Sequence, residues 1–355
     1  MDNLVLKPFW EIDLKDPFFD SLRANYEGFD DWFNKKALSG TRALVYYNDA
    51  ALLDFLYLKP ESEELQLDGK TLPAKQRLKV GTFKIERRGT NRGERFMKRI
   101  LDIAIQMDYP EVYVTMFDDT DELMHLRHFF EYYGFVEVGR KLHANNRSES
   151  VLVRDMTAHV GDFVKDYPYL DMSQGKKYLL AVKPDYHTNL FPDSILKTEH
   201  YDILKDVSQT NSINKTYICW MKDARNLHQG DKVVIYRMND GLGYAEYRSV
   251  ATSICTISEI KTINDFTDVD SFIRYANRYS VFSEMDLRQW YNIKPNFVVI
   301  KMLYNLAFQK KVIRKDIIEQ VGVSREAYWG IVLLSDTQFS QIVKLGNADG
   351  RYIIN

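Results

Sequence analysis

The alternation of hydrophobic and polar residues is clearest over residues 77–107, where it predicts a strand, a loop and a helix in that order. In the strand, the apolar residues before Gly81 occupy one face of a period-two pattern, whereas Phe83 and Ile85 after it occupy the other. The alternation slips by one residue around Gly81 and Thr82. This slip predicts a β-bulge that turns the strand away from its neighbour.

The loop from Arg88 to Gly93 contains two glycines and an asparagine, the residues most tolerant of positive φ. It leads directly into a helix with an apolar stripe formed by Phe96, Met97, Ile100, Leu101, Ala104 and Met107. Backbone N–H groups in such a turn and at a helix N-terminus favour binding of an anion, so a phosphate or pyrophosphate is the expected ligand. The alternative is an ordinary strand-to-helix turn on a solvated basic face.

The charge of this region agrees with an anionic ligand. Residues 84–99 carry seven basic and two acidic side chains, a local net charge of +5 in a chain whose net charge is −2. Two common phosphate loops are not supported, because the chain has no GxxxxGK[ST] run and the segment GTNRGE lacks GxGxxG spacing.

Three motifs in this half of the chain resemble the GNAT superfamily of N-acetyltransferases. The segment Arg88 to Gly93 resembles the family's [RQ]xxGx[GA] acetyl-CoA loop, with Asn91 where the first glycine usually stands. Tyr113 to Phe117 resembles the next strand of the family, and Phe129 to Phe135 resembles its LYEKxGF helix ending. The resemblance covers about residues 1 to 155.

The resemblance implies that acetyl-CoA is bound and that its acetyl group is transferred to a primary amine. The main chain of Phe83 to Ile85 is expected to bind the pantetheine amides, and a backbone N–H near Phe83 to polarise the thioester carbonyl. The residues expected to bind the cofactor are Phe83, Lys84, Ile85, Arg88, Gly89, Thr90, Asn91, Arg92, Gly93 and Glu94.

The catalytic acid departs from the family pattern. Phe130 stands where the usual tyrosine of LYEKxGF is found, and a phenylalanine cannot donate a proton. Tyr133, three residues later on the same helical face, is the first candidate to replace it, although this is normally a packing position. Glu86 is either a relay for the amine proton or a surface carboxylate that offsets nearby arginines. A third possibility is that no dedicated acid is needed, because a thiolate is a fair leaving group.

The rest of the chain indicates two domains, as its 355 residues suggest. Residues 1–156 form an α/β pattern, predicted as a GNAT-like mixed central sheet with flanking helices, and residues 157–176 are predicted to be a linker. Residues 177–355 contain closely spaced strands with helical insertions, which favours a small β-barrel. The predicted strands are Lys177 to Val182, Lys215 to Trp220, Asp231 to Arg237, Tyr244 to Ile260, and Asn296 to Tyr304.

The second half is similar to PUA-like barrels of the ASCH or EVE kind, in the runs YLLAVKPDYHTNLF, GDKVVIYR and YWGIVLLS. Members of that group usually bind RNA or modified bases. The ExR pair that often follows the first ASCH helix is absent, which puts a catalytic use of this barrel in doubt. Charge and flat aromatic surface predict a base-binding site at Lys183, Tyr236, Arg237 and Trp290, with a core-plus-surface role as the alternative.

Composition limits the classes of protein to which the chain can belong. The chain is 45% hydrophobic and 28% charged, without an apolar run long enough for a membrane span and without a secretion signal, so a cytoplasmic protein is expected. Cys219 and Cys255 lie in apolar contexts without metal-ligand spacing, so both are expected to be reduced core residues, and no metal site is expected.

Three functions remain open from the sequence. In the first, the acetyltransferase acts on RNA or aminoacyl-tRNA recruited by the C-terminal barrel. In the second, its acceptor is a protein or small-molecule amine. In the third, which Phe130 favours, the chain is a non-catalytic acyl-CoA sensor. The acceptor and the oligomeric state are not determined by the sequence.

Overall fold

The computed structural model describes residues 4–48, 51–86, 91–143, 146–194, 212–293 and 296–354. The chain divides into two compact units, Met1–Lys165 and Asp166–Asn355. The division falls inside the stretch 157–176 that the sequence predicts as a linker. Part of that stretch is packed structure of the second unit, because Tyr167 is fully buried and its hydroxyl donates to the carbonyl of Tyr304 at 2.9 Å.

The first unit is a seven-stranded mixed sheet with helices, in agreement with the α/β prediction. Its strands are β1 Leu4–Pro8, β2 Arg42–Asn48, β3 Ala51–Glu61, β4 Leu65–Leu67, β5 Lys70–Leu72, β6 Arg77–Ile85, β7 Glu111–Met116, β8 Val136–Leu142 and β9 Ser148–Asp155. Its helices are α1 Asp20–Asn25, α2 Phe29–Leu38, α3 Arg92–Gln106 and α4 Asp121–Tyr132. The order in the main sheet is β1-β2-β3-β6-β7-β9-β8, and β4 and β5 form a separate hairpin. Among the described strands of this sheet, β6 and β7 are parallel and the other neighbours are antiparallel.

Helix boundaries and burial follow the sequence pattern. The hydroxyl of Thr120 caps α4 by accepting from the backbone N–H of Leu123, as an N-cap residue does. The apolar stripe of α3 is buried from Phe96 to Ala104, which fixes this helix on the sheet. A cluster of aromatic residues packs α2 and the segment before α1 against the first strands; its fully buried members include Phe9, Phe19, Phe33 and Phe55.

The predicted bulge in β6 is confirmed. Tyr57 pairs with Thr82 and Leu58 with Val80, so Gly81 is skipped in the ladder with β3. On the other side, β6 pairs with β7 only over Arg77–Val80 in the described chain, although both strands continue. We call the region beyond these last pairs the β6–β7 gap.

The second unit contains a six-stranded sheet of order β12-β15-β14-β13-β11-β16. Its strands are β10 Leu170–Asp171, β11 Lys177–Val182, β12 Asn214–Cys219, β13 Lys232–Arg237, β14 Val250–Thr262, β15 Val298–Ile313, β16 Ile331–Leu334 and β17 Ile353–Ile354. Its helices are α5 Pro184–Leu190, α6 Ala245–Arg248, α7 Val269–Ala276, α8 Glu284–Ile293, α9 Arg314–Glu319 and α10 Asp336–Leu345. β11 and β13 are parallel neighbours, and β10 pairs separately with β17.

For the second unit, one expectation is not confirmed and another is wrong at one boundary. Among the described residues no pairing joins β12 to β16, so a closed barrel is not confirmed. The predicted strand Tyr244 to Ile260 is wrong at its start, because Ala245–Arg248 is a helical turn and the strand begins at Val250. Apolar content alone does not distinguish a short helical turn from the start of a strand.

Candidate active site

The β6–β7 gap exposes backbone groups of β6. The N–H of Glu86 donates to the carbonyl of Leu53 on the β3 side at 2.8 Å. Because the N–H groups of successive residues in a strand point to opposite edges, the peptide groups of Phe83 and Ile85 face the gap. A polar ligand with extended geometry can therefore pair with β6 where β7 no longer does.

The N-terminus of α3 lies at the end of β6. The helix begins at Arg92, and a Cβ added at Gly93 would lie 3.5 Å from the Ile85 side chain and 3.5 Å from the Phe129 ring. The first turn of α3 is thus in contact with the last residue of β6 and with α4. Its outward N–H groups can bind an anion at this end of the gap. Arg88, Gly89 and Thr90 lie outside the described residues, so their predicted roles remain predictions.

More of the positive charge in this region is paired with carboxylates than the sequence indicates. Arg92 is only 4% exposed, and its Nη1 lies 3.2 Å from Oδ1 of Asp54, which is 2% exposed. Lys98 pairs with Asp102 at 2.7 Å. We therefore correct one expectation: the Arg92 side chain is directed to a buried carboxylate of its own chain, and any contribution to an anion site would come from its backbone N–H. Asn91 and Glu94 are also buried.

Lys84 is directed away from the gap, to the opposite face of the sheet from Phe83. Its Nζ donates to the carbonyl of Phe18 and to Oγ of Ser21, the latter at 2.5 Å, and lies 4.6 Å from the centroid of the Phe18 ring. Burial lowers the pKa of Lys84. The side chain joins β6 to Phe18 and to Ser21 in α1, and its predicted part in cofactor binding is limited to its backbone.

Phe83 packs beneath the gap in a cluster of aromatic rings from α3 and α4. Its ring centroid lies 5.7 Å from Phe96, 5.9 Å from Phe129 and 5.4 Å from Phe130. Phe130, the residue in the position of the family's tyrosine, therefore contacts the strand that borders the gap. Its ring is fully buried there and has no proton to donate.

The two predicted catalytic residues receive little support. Tyr133 is 1% exposed, and its ring packs on Phe129 and Tyr132 at 5.3 and 5.0 Å. This burial among rings favours a packing role for Tyr133, and its assignment as general acid stays a prediction. The Glu86 side chain is half exposed and lies 3.9 Å from Nζ of Lys84, which agrees with a surface carboxylate.

A network of ion pairs holds α4 against the sheet. Asp118 accepts from Arg127 at 2.6 Å, from Arg140 at 2.5 Å and from the Ser150 hydroxyl at 2.7 Å. Arg127 also donates to Glu137 at 2.6 Å. Burial opposes ionisation of Asp118, but these three hydrogen bonds outweigh it and lower its pKa to about 2. The network fixes the aromatic residues of α4 beside β6.

A polar cluster lies at the carboxyl end of β7, and sequence reasoning missed it. The Tyr26 ring lies 5.3 Å from Phe117, and the Arg147 guanidinium lies 3.9 Å over the same ring. Nearby, Nε2 of His143 lies 3.1 Å from Oε2 of Glu149. The sequence HANNRSE signals only a polar hairpin, because nothing in it shows that Tyr26 and Phe117 pack beside it.

In the second unit, three of the four predicted base-binding residues lie at the same end of two neighbouring strands. Ala181 pairs with Tyr236 and Val182 with Arg237, so Lys183 follows directly at the carboxyl ends of two parallel strands. Lys183 is exposed, but Tyr236 and Arg237 are almost fully buried. This burial favours the core alternative for these two residues, and their role in base binding stays a prediction.

A series of ring contacts joins Trp290 to α5, the helix that follows Lys183. Trp290 lies 4.9 Å from Phe282, which in turn lies 4.9 Å from Tyr186 on α5, the helix that begins directly after Lys183. Trp220, 36% exposed, meets Trp290 edge to face at 5.0 Å. Trp220 is the aromatic surface residue that the sequence analysis did not select.

Other kinds of site find no support in the part of the chain that the structure describes. There, no group of three or more His, Cys, Asp or Glu side chains is arranged to hold a metal ion. Over the same residues, no helix is long and apolar enough to cross a membrane. Cys219 and Cys255 are buried free thiols, and burial raises the pKa of both, that of Cys219 to about 11.

No family model and no curated protein matches the sequence. Similar solved structures include N-acetyltransferases. An acyl-CoA N-acyltransferase from Pseudomonas aeruginosa is similar over 43% of this chain and 99% of its own, with 20% identity and a TM-score of 0.27. NAA60 from Arabidopsis thaliana in complex with a bisubstrate analogue covers 43% of this chain and 97% of its own, with 12% identity and a TM-score of 0.31. A mutant of ZmASCH from Zymomonas mobilis covers 48% and 96%, with 9% identity and a TM-score of 0.34. At these values, function must be argued from the residues of this chain.

Proposed function

We propose that this chain is an N-acetyltransferase that uses acetyl-CoA and a primary amine. The β6–β7 gap is the observation that carries the proposal. Within the described chain it leaves the peptide groups of Phe83 and Ile85 without a partner strand, and the N-terminus of α3 lies at its end. Pantetheine is an extended chain of amides that ends in a diphosphate, and these two features suit its two parts.

The chain's own residues would divide the work as follows. Phe83 and Ile85 bind the pantetheine amides through main chain, and the first turn of α3, with Asn91 and Gly93, binds the diphosphate. The apolar rings of Phe129 and Phe130 exclude water from the thioester end. The amine nitrogen forms a bond to the carbonyl carbon, and the carbon–sulfur bond breaks. No tyrosine donates to the departing sulfur at the position of Phe130, so it leaves as a thiolate.

The experiment that tests this proposal removes one gap-facing N–H. Ile85→Pro deletes an N–H that the ladder with β3 does not use, and Ile85→Ala is the matched control, because it shortens the side chain but keeps the N–H. We expect acetyl-CoA, measured by titration calorimetry, to bind Ile85→Pro about tenfold more weakly than Ile85→Ala, from one lost hydrogen bond of about 1.5 kcal/mol. No binding by the unmodified chain, or equal affinities in the two variants, would refute the proposal.

The acceptor that we propose is an RNA, such as tRNA or its aminoacyl group, recruited by the second unit. Support comes from exposed Lys183, which directly precedes α5, and from the partly exposed Trp220 ring packed on Trp290, since cationic and aromatic surfaces bind single-stranded bases. Labelled acetyl-CoA with cell extract, followed by RNase or protease digestion, tests it. Label that RNase releases supports an RNA acceptor, and label that only protease releases, or label in small molecules, favours a protein or small-molecule amine. Acetyl-CoA binding without transfer favours an acyl-CoA sensor.

A further inference from the structure

The polar cluster at the end of β7 has the parts of a general base that the acetyltransferase proposal leaves unassigned. We propose that His143 accepts the proton of an acceptor amine that arrives as an ammonium ion, and that Glu149 positions His143 for this step. The inference rests on the proposed function.

The cluster borders the gap through the register of β7 and β9. Thr115 pairs with Val151 and Met116 with Ser150, so Phe117, the next residue, lies opposite Glu149. Phe117 follows the part of β7 that β6 does not pair with. The His143 ring lies 5.4 Å from the Phe117 ring. We place the acceptor amine at this end of β7, on the side where the His143 ring packs beside Phe117.

The hydrogen bond to Glu149 fixes which nitrogen of His143 can accept a proton. An ionised carboxylate only accepts hydrogen bonds, so Nε2 of His143 carries the hydrogen and Nδ1 keeps its lone pair. Glu149 is 7% exposed, and its negative charge stabilises the imidazolium once it forms. The His143 side chain is 42% exposed, so it can then release the proton to water.

His143 and Arg147, at the facing ends of β8 and β9, are held by several hydrogen bonds. The backbone N–H of His143 donates to the carbonyl of Arg147 at 2.8 Å. Arg147 donates to Asp119 at 2.8 Å and to the carbonyl of Asn25 at 3.2 Å, which joins the start of β9 to the end of α1. A base held in this way needs little reorganisation before it acts.

The titratable groups around the pair come from four segments of the first unit. They are Tyr26 after α1, Asp119 after β7, Lys141 on β8 and Arg147 before β9. Burial and then the charge of Glu149 raise the pKa of Tyr26, so this phenol stays neutral and does not compete as a base. Burial lowers the pKa of Lys141, and Glu149 acts against that shift.

The proton and electron pairs balance without another reactant. The ammonium gives one proton to Nδ1 of His143, and the freed lone pair forms the bond to the carbonyl carbon as the carbon–sulfur bond breaks. The nitrogen then loses a second proton, which balances the one that the departing sulfur takes up. The net proton released leaves through His143 to water.

The test compares two small amines with His143→Gln and Glu149→Gln. Propylamine is an ammonium at neutral pH, whereas methoxyamine is already unprotonated. We expect His143→Gln to slow acetyl transfer to propylamine by about 100-fold, Glu149→Gln to slow it by about tenfold, and both to leave transfer to methoxyamine within about threefold. The matched controls, exposed His125→Gln and Glu27→Gln, should change neither rate.

Two readouts separate the base assignment from the proposed function. Acetyl-CoA affinity should be unchanged in both variants, and nitrogen-15 spectra of the unmodified protein should place the hydrogen of neutral His143 on Nε2. An equal loss for the two amines, an Nδ1–H tautomer, or no transfer to propylamine from bound acetyl-CoA would overturn the inference while the cofactor site stands. Failure of the unmodified chain to bind acetyl-CoA would overturn the proposed function itself.

Discussion

Replacing Asp54 by asparagine should destabilise the first unit more than any exposed charge change. Asp54 and Arg92 are 2% and 4% exposed, and their side chains lie 3.2 Å apart. The guanidinium also lies 5.5 Å from the centroid of the Tyr46 ring. Asparagine keeps the volume but removes the negative charge, so a buried cation loses this carboxylate. Loss of one partner of a buried pair costs about 3–5 kcal/mol.

Hydrogen exchange read by mass spectrometry measures this cost in the full chain. Exchange of the protected amides of β3 and α3 requires opening, so about 3 kcal/mol of lost stability accelerates it by about 100-fold. Peptides of the second unit, which the change does not touch, should exchange as before. We also expect weaker binding of acetyl-CoA, because Arg92 is the first residue of α3 and the N-terminus of this helix lies beside the gap.

The matched control is Asp20→Asn. Asp20 pairs with Arg23 at 2.6 Å, but its side chain is 71% exposed and Arg23 also pairs with Asp30. An exposed pair of this kind contributes at most about 1 kcal/mol, which is about a fivefold change in exchange. Similar, small accelerations in both variants would refute the view that the buried pair holds α3 on β3.

Three further predictions concern the bulge in β6, the ion pairs of Asp118 and the burial of the two cysteines. Gly81→Ala would place a Cβ 2.7 Å from the Tyr57 ring, so we expect the bulge to shift and the affinity for acetyl-CoA, measured by calorimetry, to fall about tenfold. Adding Tyr57→Leu, which removes the ring, should restore the affinity. An unchanged affinity in Gly81→Ala would contradict the role of the bulge. The pKa of Asp118 is lowered to about 2, below its unfolded value of about 3.9, so its stabilisation is present above about pH 4 and is lost as the pH falls toward 2. Acid unfolding followed by circular dichroism should lose that component in Asp118→Asn, and an unchanged curve would contradict it. Cys219 and Cys255 should resist maleimide in the native protein and react in urea, as seen by mass spectrometry; rapid native labelling of either would contradict their burial.

Local features of the fold were predictable because they depend on neighbouring residues. The slip of alternation at Gly81 predicted the bulge, and the strand Lys177–Val182 has the predicted bounds. The order of strand and helix over residues 77–107 was also correct, whereas residues 87–90 of the predicted loop lie outside the described residues. Each of these signals is contained within a short window of sequence, where side-chain period and backbone preference act directly.

The sequence was enough to predict where β6 bends, and it marked a basic segment that leads into a helix, although α3 begins at Arg92, within the predicted loop. The tertiary structure decided how those charges are used: Asp54, far away in the chain, is the carboxylate that meets Arg92. It also buried Tyr133 and brought His143 and Glu149 beside Phe117. Such contacts depend on strand order and register, which join distant segments. The pattern of one segment carries no information about its partner across the sheet.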